Sequence, residues 1–110
     1  MEKIFNKLVR DKIPELCLAN GEKAVTRILS DDEYRIELMK KIGEELLEVR
    51  LANSKEELTR ELADILEIIL TLNNFLGNSE DDLYQARLLK LKTNGGFSQR
   101  LFLEKVIRND

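Results

Sequence analysis

The chain has 110 residues, of which 43% are apolar, and it contains 18 Lys plus Arg, 21 Asp plus Glu and no His. This length predicts one domain, residues 1–110, with a radius of gyration of about 13 Å if it is compact. The absence of His excludes catalysis by Ser-His or Cys-His pairs and zinc sites that use imidazole. The formal charge of −3 argues against a nucleic-acid partner held by bulk positive charge.

The chain lacks the features of secreted and membrane proteins. Its one cysteine, Cys17, cannot form an intramolecular disulfide, which favours a reducing, cytoplasmic compartment. The first residues contain no apolar run typical of a secretory signal. The most apolar stretch, 65–76, is interrupted by Glu67, and a membrane span needs roughly 20 apolar residues. We therefore expect a soluble cytoplasmic protein with no membrane partner.

The first 30 residues show no sustained periodicity. Pro14 and Gly21 interrupt them, which predicts an irregular N-terminal arm. Within this arm the β-branched residues of segment 24–29 predict one short strand or extended segment.

Regular helix signals begin at Ser30. Ser30 followed by Glu33 has the spacing of a capping box, which predicts a helix over 31–52. The same spacing recurs from Ser54 and predicts a second helix over 55–76. Two long helices joined by a tight turn are typical of an antiparallel hairpin.

The remaining signals predict a third helix. Gly77 is suited to the left-handed conformation that follows a helix, and Ser79 begins the next capping pattern. This third helix should end near Lys92, before a Gly95-Gly96 turn that could also act as a hinge. The tail, 97–110, is predicted as a short strand or a turn of helix. The fold class is therefore all-α: a helical hairpin, a third helix and the irregular arm.

Carboxylates fall on the faces that should be buried. Helical geometry, at about 100° per residue, places Glu45 within the apolar stripe of the first long helix and Glu48 beside it. Glu61 and Asp64 lie along one edge of the stripe of the second. The predicted stripes are Tyr34, Leu38, Ile42, Val49 and Ala52 on the first helix, and Leu58, Leu62, Ile65, Ile69, Leu72 and Leu76 on the second.

Two interpretations of these carboxylates follow. Acidic residues at helical spacing usually form a solvated face. If the helices pair as a hairpin, however, the four carboxylates converge, and a partly buried acidic cluster needs protons or cations to neutralise it. Lys41 supplies only one positive charge. Oxygen ligands select a hard divalent ion such as Mg²⁺, Mn²⁺ or Ca²⁺ over zinc.

The carboxylate spacing also matches a known pattern. Glu-Glu-x-x-Glu at 44–48, followed after twelve residues by Glu-x-x-Asp at 61–64, resembles the signature of the all-α nucleoside triphosphate pyrophosphohydrolases. These are the MazG-like proteins, which are related to phosphoribosyl-ATP pyrophosphatase. Segments 6–14 and 95–97, with Arg100, also resemble the small single-domain members.

The resemblance implies an activity and its cofactor. The resemblance implies Mg²⁺-dependent cleavage of a nucleoside triphosphate between the α and β phosphates, with release of a monophosphate and pyrophosphate. Mn²⁺ is the alternative cation that the oxygen ligands allow. The matching metal ligands here are Glu45, Glu48, Glu61 and Asp64. Glu44 would orient a ligand or activate water, so the implied catalytic residues are Glu44, Glu45 and Glu48.

Basic side chains are the expected partners of the substrate phosphates. For most of them the alternative is ordinary solvated surface charge; the motif resemblance favours Arg10 and Lys12. The candidates are Lys7, Arg10, Lys12, Lys41, Lys90, Lys92 and Arg100.

Leucines outside the predicted stripes indicate a partner surface. They leave the hairpin with more apolar surface than its own arm can cover, which predicts a helical-bundle homodimer or homotetramer. These leucines are Leu46, Leu47, Leu51, Leu66 and Leu70.

The leading function is a house-cleaning nucleoside triphosphate pyrophosphohydrolase. The alternatives are phosphoribosyl-ATP hydrolysis and a non-catalytic, metal-binding helical assembly module.

Overall fold

The computed structural model describes residues 1–108, which contain four α-helices and no strand. The all-α class is confirmed, and each of the three predicted helices ends within about two residues of its predicted bounds. None of the helices in this range is both long and apolar enough to cross a bilayer. The helices are α1 (Ile13–Ala19), α2 (Asp31–Leu51), α3 (Lys55–Phe75) and α4 (Glu80–Asn94).

Serine caps define where the long helices begin. Ser30 of α2 and Ser79 of α4 both form the reciprocal capping box that the sequence predicts. At α3 only half of the device is present. Ser54 Oγ accepts a hydrogen bond from the Glu57 N–H at 3.1 Å, whereas the Glu57 carboxylate accepts from the Asn53 N–H at 2.9 Å. The Glu57 N–H, one of the free backbone donors at this helix start, is still satisfied.

Replacing Ser30 by Ala should lower the free energy of unfolding by about 1 kcal/mol, because it removes the acceptor of the Glu33 N–H at 3.3 Å. Chemical denaturation followed by circular dichroism measures this loss. Ser98→Ala, in the exposed tail, is the control and should leave the midpoint unchanged. An equal midpoint for both variants would contradict a stabilising role for the cap.

The N-terminal arm differs from prediction in two ways. It is not irregular throughout, because Ile13–Ala19 forms α1 with Pro14 in its first turn, where a missing N–H costs nothing. Segment 24–29 does not form a strand, which is one of its two predicted forms, since no described strand lies beside it to receive its hydrogen bonds. The other form, an extended segment, stays a prediction. Arg27 instead holds the segment against the start of α2 through a 2.7 Å ion pair with Glu33.

The segment after α4 has neither predicted element. Gly95 adopts φ +82°, so the positive φ predicted for this glycine pair is confirmed at Gly95. Residues 97–108 form neither helix nor strand. The last two residues of the predicted element, Asn109 and Asp110, lie outside the described residues.

Helices α2 and α3 pack against each other, and α4 contacts α3. Near the start of α2, the Tyr34 ring meets the Phe75 ring at the end of α3 edge to face, with centroids 5.3 Å apart. Asn73, which is buried, donates through Nδ2 to the carbonyl oxygen of Ser79 at 2.9 Å. This bond ties the end of α3 to the turn that leads into α4.

The chain is far less compact than its composition predicts. Its radius of gyration is 19.1 Å, against about 13 Å for a compact chain of this length. Among the described apolar residues only Leu38, 2% exposed, is buried. The apolar residues, which make up 43% of the sequence, therefore do not fill one core in the single chain, because the helices form a thin layer.

One predicted stripe is correct and the other is rotated. The predicted residues of α2 are all buried or half-buried. On α3 the side facing α2 carries Glu61, Asp64, Ile68 and Phe75, which is the edge of the predicted stripe and not its centre. Most of the predicted stripe is instead exposed, together with Leu66. We call this outer surface the α3 ridge, formed by Leu58, Leu62, Leu66, Ile69 and Leu76.

Candidate metal centre

Three carboxylates from two helices meet between α2 and α3. One oxygen each of Glu45, Glu61 and Asp64 lies within 4.8 Å of the other two, and all three side chains are half-buried. We call this group the carboxylate triad. The structure thus brings together three of the four metal ligands that the family resemblance implies.

Helical spacing explains the convergence. Glu61 and Asp64 are three residues apart on α3, so they project from the same side of that helix. Glu45 occupies the stripe of α2 that also contains Leu38 and Val49. Because α2 packs against α3, this stripe delivers Glu45 to the other two carboxylates.

Glu45 is the member least able to carry its charge. Its Oε2 is buried and has no hydrogen-bond partner. Burial is the largest cause that raises the pKa of Glu45 from 4.5 to about 7, followed by the nearby carboxyl groups of Glu61 and Asp64. Lys41 acts in the opposite direction but does not cancel these effects. The triad therefore lacks positive charge at Glu45.

The N-terminal arm supplies one counter-charge. Arg10 Nη2 donates to Asp64 Oδ1 at 2.7 Å, across 54 positions of sequence. Both side chains are partly exposed, at 60% for Arg10 and 38% for Asp64, so the pair contributes little stability. Arg10 is thus placed at the triad and is held there weakly.

Two predicted acidic residues lie outside the triad. Glu44 is exposed and accepts a hydrogen bond from Lys41 Nζ at 3.1 Å. Lys41 itself is only 19% exposed and lies close enough to influence Glu45. Glu48 is also exposed and is not one of the three clustered carboxylates. The roles assigned to Glu44 and Glu48 remain predictions.

An open cavity of about 260 Å³ adjoins the triad. Glu61 belongs to both the triad and the cavity wall. Glu48 and Arg60 also line the cavity but are not members of the triad. Arg60 is absent from the basic residues selected from the sequence, because it lies on the charged face of its helix and outside every motif. Its position directly before Glu61 is the signal that could have identified it.

The other predicted basic residues form no ion pair with the triad within residues 1–108. Within residues 1–108, none of them forms an ion pair with an acidic side chain, and all are exposed. Lys7 Nζ lies 5.7 Å from the Phe5 ring centroid, and Arg100 has a left-handed backbone at φ +61°. These residues are Lys7, Lys12, Lys90, Lys92 and Arg100.

The donor set suits a hard divalent cation. All three groups are oxygen ligands, and the unpartnered Glu45 oxygen is left for a positive charge to satisfy. Oxygens that bind one Mg²⁺ lie about 3.0 Å apart at adjacent positions and about 4.2 Å apart at opposite ones, so a shift of about 1 Å in each side chain would close the triad around an ion. These residues therefore fit such a cation.

Comparisons with known proteins show similarity to part of one relative. An uncharacterized protein of Mycolicibacterium smegmatis is 50% identical over 50 residues, which cover 46% of this chain and 51% of that protein. The match thus spans about half the length of the curated relative. No protein-family model and no solved structure matches the chain.

Proposed function

We propose that this chain is a Mg²⁺-dependent nucleoside triphosphate pyrophosphohydrolase that resembles the MazG-like enzymes and releases a nucleoside monophosphate and pyrophosphate. The observation that carries the proposal is the buried, unpartnered Oε2 of Glu45 within a triad of oxygen ligands. A solvated acidic face would leave no carboxylate oxygen both buried and unpaired.

The three triad residues would hold the cation. A bound divalent ion polarises phosphoryl oxygens and lowers the pKa of coordinated water, so the absence of His is no obstacle. Glu48 lines the adjoining cavity, where it could reach a cation or a substrate group. Glu44, held by Lys41, is the remaining candidate to orient water.

Basic residues around the triad would hold the phosphates. Arg10 contacts Asp64, and Arg60 lines the cavity beside Glu61. Guanidinium groups bind phosphate oxygens through paired hydrogen bonds, and they would balance the charge on departing pyrophosphate.

The wider architecture belongs to the same proposal. The reversed order of contacts, with Tyr34 against Phe75 and Glu45 against Glu61, supports an antiparallel hairpin of α2 and α3. We propose that this hairpin is the core of a single-domain cytoplasmic enzyme that works as a homo-oligomer.

A substrate panel tests the activity. Purified protein with Mg²⁺ should release pyrophosphate from at least one nucleoside triphosphate, and chelation should abolish release. If phosphoribosyl-ATP is hydrolysed and the triphosphates are not, the function is the histidine-pathway reaction. Release that persists after chelation would contradict the role of the triad.

The second candidate is a metal-binding assembly module without catalysis. The thin, extended shape of the chain favours an assembly function, since many of its large apolar side chains are exposed in the single chain. This function predicts no pyrophosphate release from any substrate, together with an oligomer that dissociates on chelation. The enzyme predicts release and allows assembly without metal.

Replacing Arg10 by Ala should raise KM for the nucleotide about tenfold, because a hydrogen bond to a charged group contributes roughly 1.5–3 kcal/mol. Affinity for Mg²⁺ should not fall, since Arg10 contacts the Asp64 oxygen that a cation would also use. Steady-state kinetics and calorimetric titration with Mg²⁺ measure the two effects.

Arg27→Ala is the matched control. Arg27 also forms a 2.7 Å ion pair with an acidic side chain of a long helix, but with Glu33, away from the triad. Its KM should be that of the unmodified protein. Weakened Mg²⁺ binding in Arg10→Ala with an unchanged KM would contradict a phosphate-binding role for Arg10.

A further inference from the structure

The first part of the N-terminal arm, residues 1–22, is fastened to the long helices at one polar contact. Within residues 1–108, a single hydrogen bond joins this segment to α2, α3 or α4, and it is the 2.7 Å contact of Arg10 Nη2 with Asp64 Oδ1. Helix α1 does not pack closely against any of these three helices. No residue of the segment is buried. Its attachment therefore depends strongly on Arg10, because few packed side chains support it.

The other end of the arm is held separately. Arg27 pairs with Glu33 at the start of α2, at 2.7 Å and away from the triad. The chain also continues directly into α2 at Asp31. Loss of the Arg10 contact would thus free residues 1–22 while the rest of the arm keeps them tethered near the helices.

The fastening uses a group that a cation also needs. Asp64 belongs to the carboxylate triad. A Mg²⁺ ion bound to Asp64 Oδ1 at about 2.1 Å would lie about 4 Å from Arg10 Nη2 if Arg10 stayed in place. Positive charges this close repel each other. Because the Arg10 and Asp64 side chains are 60% and 38% exposed, water can readily replace the hydrogen bond between them.

We propose that Arg10 is a latch released by a divalent cation: it holds residues 1–22 at the triad when no cation is bound, and a cation at Asp64 displaces it and frees the segment. The inference rests on the metal-binding part of the proposed function and does not require catalysis. Before release, Arg10 neutralises one of three neighbouring carboxylates and so reduces their repulsion. After release, its guanidinium group stays tethered nearby, where it can bind an anionic ligand that the cation carries. The cation thus completes the site and makes Arg10 available in one step.

Titration calorimetry with Mg²⁺ alone, at constant ionic strength, tests the competition. Arg10→Ala should bind Mg²⁺ about two- to fivefold more tightly than the unmodified protein, because the cation no longer displaces an exposed ion pair. Arg10→Lys keeps the charge and should bind nearly as the unmodified protein does. Lys3→Ala is the matched control, since it removes the same charge from the arm; Lys3 lies 5.2 Å from the Phe5 ring centroid and forms no ion pair within residues 1–108. It should leave the affinity unchanged.

Movement of the arm can be measured without any enzymatic assay. Cys17 is the one cysteine of the chain and lies in α1, so a nitroxide attached to it reports on the released segment. Mg²⁺ should narrow the electron paramagnetic resonance spectrum of the unmodified protein, because α1 becomes more mobile. The spectrum of Arg10→Ala should already be narrow without Mg²⁺. That of Lys3→Ala should respond to Mg²⁺ as the unmodified protein does.

Glu45→Gln separates release by a bound ion from simple screening by salt. It removes a triad carboxylate but keeps Arg10 and Asp64, whose exposed ion pair is also weakened by ionic strength. At a Mg²⁺ concentration that saturates the unmodified protein, its spectrum should stay broad. Equal narrowing in both proteins would overturn the latch, since screening alone would then account for the movement.

Two further results would overturn the latch and leave the metal centre intact. One is Mg²⁺ binding by Arg10→Ala that is no tighter than in the unmodified protein, because Arg10 would then share Asp64 with the cation. The other is a spectrum that does not change although calorimetry shows Mg²⁺ bound. If no variant and not even the unmodified protein binds Mg²⁺, the latch and the proposed metal centre both fail.

Discussion

Replacing Asp64 by Asn is expected to lower the rate of pyrophosphate release by about 100-fold or more at fixed Mg²⁺. The substitution keeps the shape of the side chain but removes one of the three negative charges that would hold the cation. It also frees Arg10, whose 2.7 Å contact is with the same carboxylate. Rate measurements over a range of Mg²⁺ concentrations separate weakened metal binding from a slower maximal rate.

Glu67→Gln is the control for this variant. Glu67 lies one turn further along α3, is exposed and is not a member of the triad. It carries the same loss of charge, so it should retain the activity of the unmodified protein. Equal losses in the two variants would show that general negative charge matters and that the triad has no special role.

The second large effect concerns stability and pH. Folding raises the pKa of Glu45 from 4.5 to about 7, chiefly through burial. In this pH interval the folded chain therefore holds more protons than the unfolded chain. The stabilising contribution of neutral Glu45 is complete below about pH 4.5 and is lost as the pH rises through about 7.

Metal-free protein should accordingly melt at lower temperature as the pH rises from about 5 to about 8. Glu45→Gln, an uncharged residue of the same shape, should remove the decline due to this group and make the metal-free protein more stable at the upper end. Mg²⁺ should stabilise the unmodified protein there and have little effect on Glu45→Gln, because binding to the folded state is linked to stability. Differential scanning calorimetry with and without chelator measures both effects.

Glu44→Gln changes an exposed neighbouring carboxyl and should keep the pH dependence of the unmodified protein. The assignment of the pH effect to Glu45 would be contradicted if Glu45→Gln retained the full decline. It would also be contradicted if Mg²⁺ stabilised this variant as much as it stabilises the unmodified protein.

Local signals predicted the long helices well. Ser30, Ser54 and Ser79 mark helix starts, because a serine oxygen at this position accepts a hydrogen bond from a free backbone N–H of the first helical turn. The stripe of α2 was also predictable, since its residues lie within one arc of the helix and the structure buries or half-buries all of them. The acidic residues on that stripe were enough to select Glu45.

The orientation of α3 was not predictable from the same pattern. Apolar residues cover most of this helix, so periodicity alone does not show which side meets α2. The structure turns Glu61 and Asp64 inward and leaves Leu62 exposed. The side of α3 that faces α2 is decided by how the two helices pack, which depends on the surfaces of both helices together. The 2.7 Å contact of Arg10 with Asp64 likewise joins segments that no local pattern connects.

Two members of the carboxylate triad, Glu61 and Asp64, lie on the same helix as the α3 ridge. A roll of α3 by even a few degrees, made to suit a different neighbour, would swing Glu61 and Asp64 by the same angle. Any contact that α3 makes through this ridge and the geometry of the carboxylate triad are thus mechanically linked in this chain, so a change in one would disturb the other.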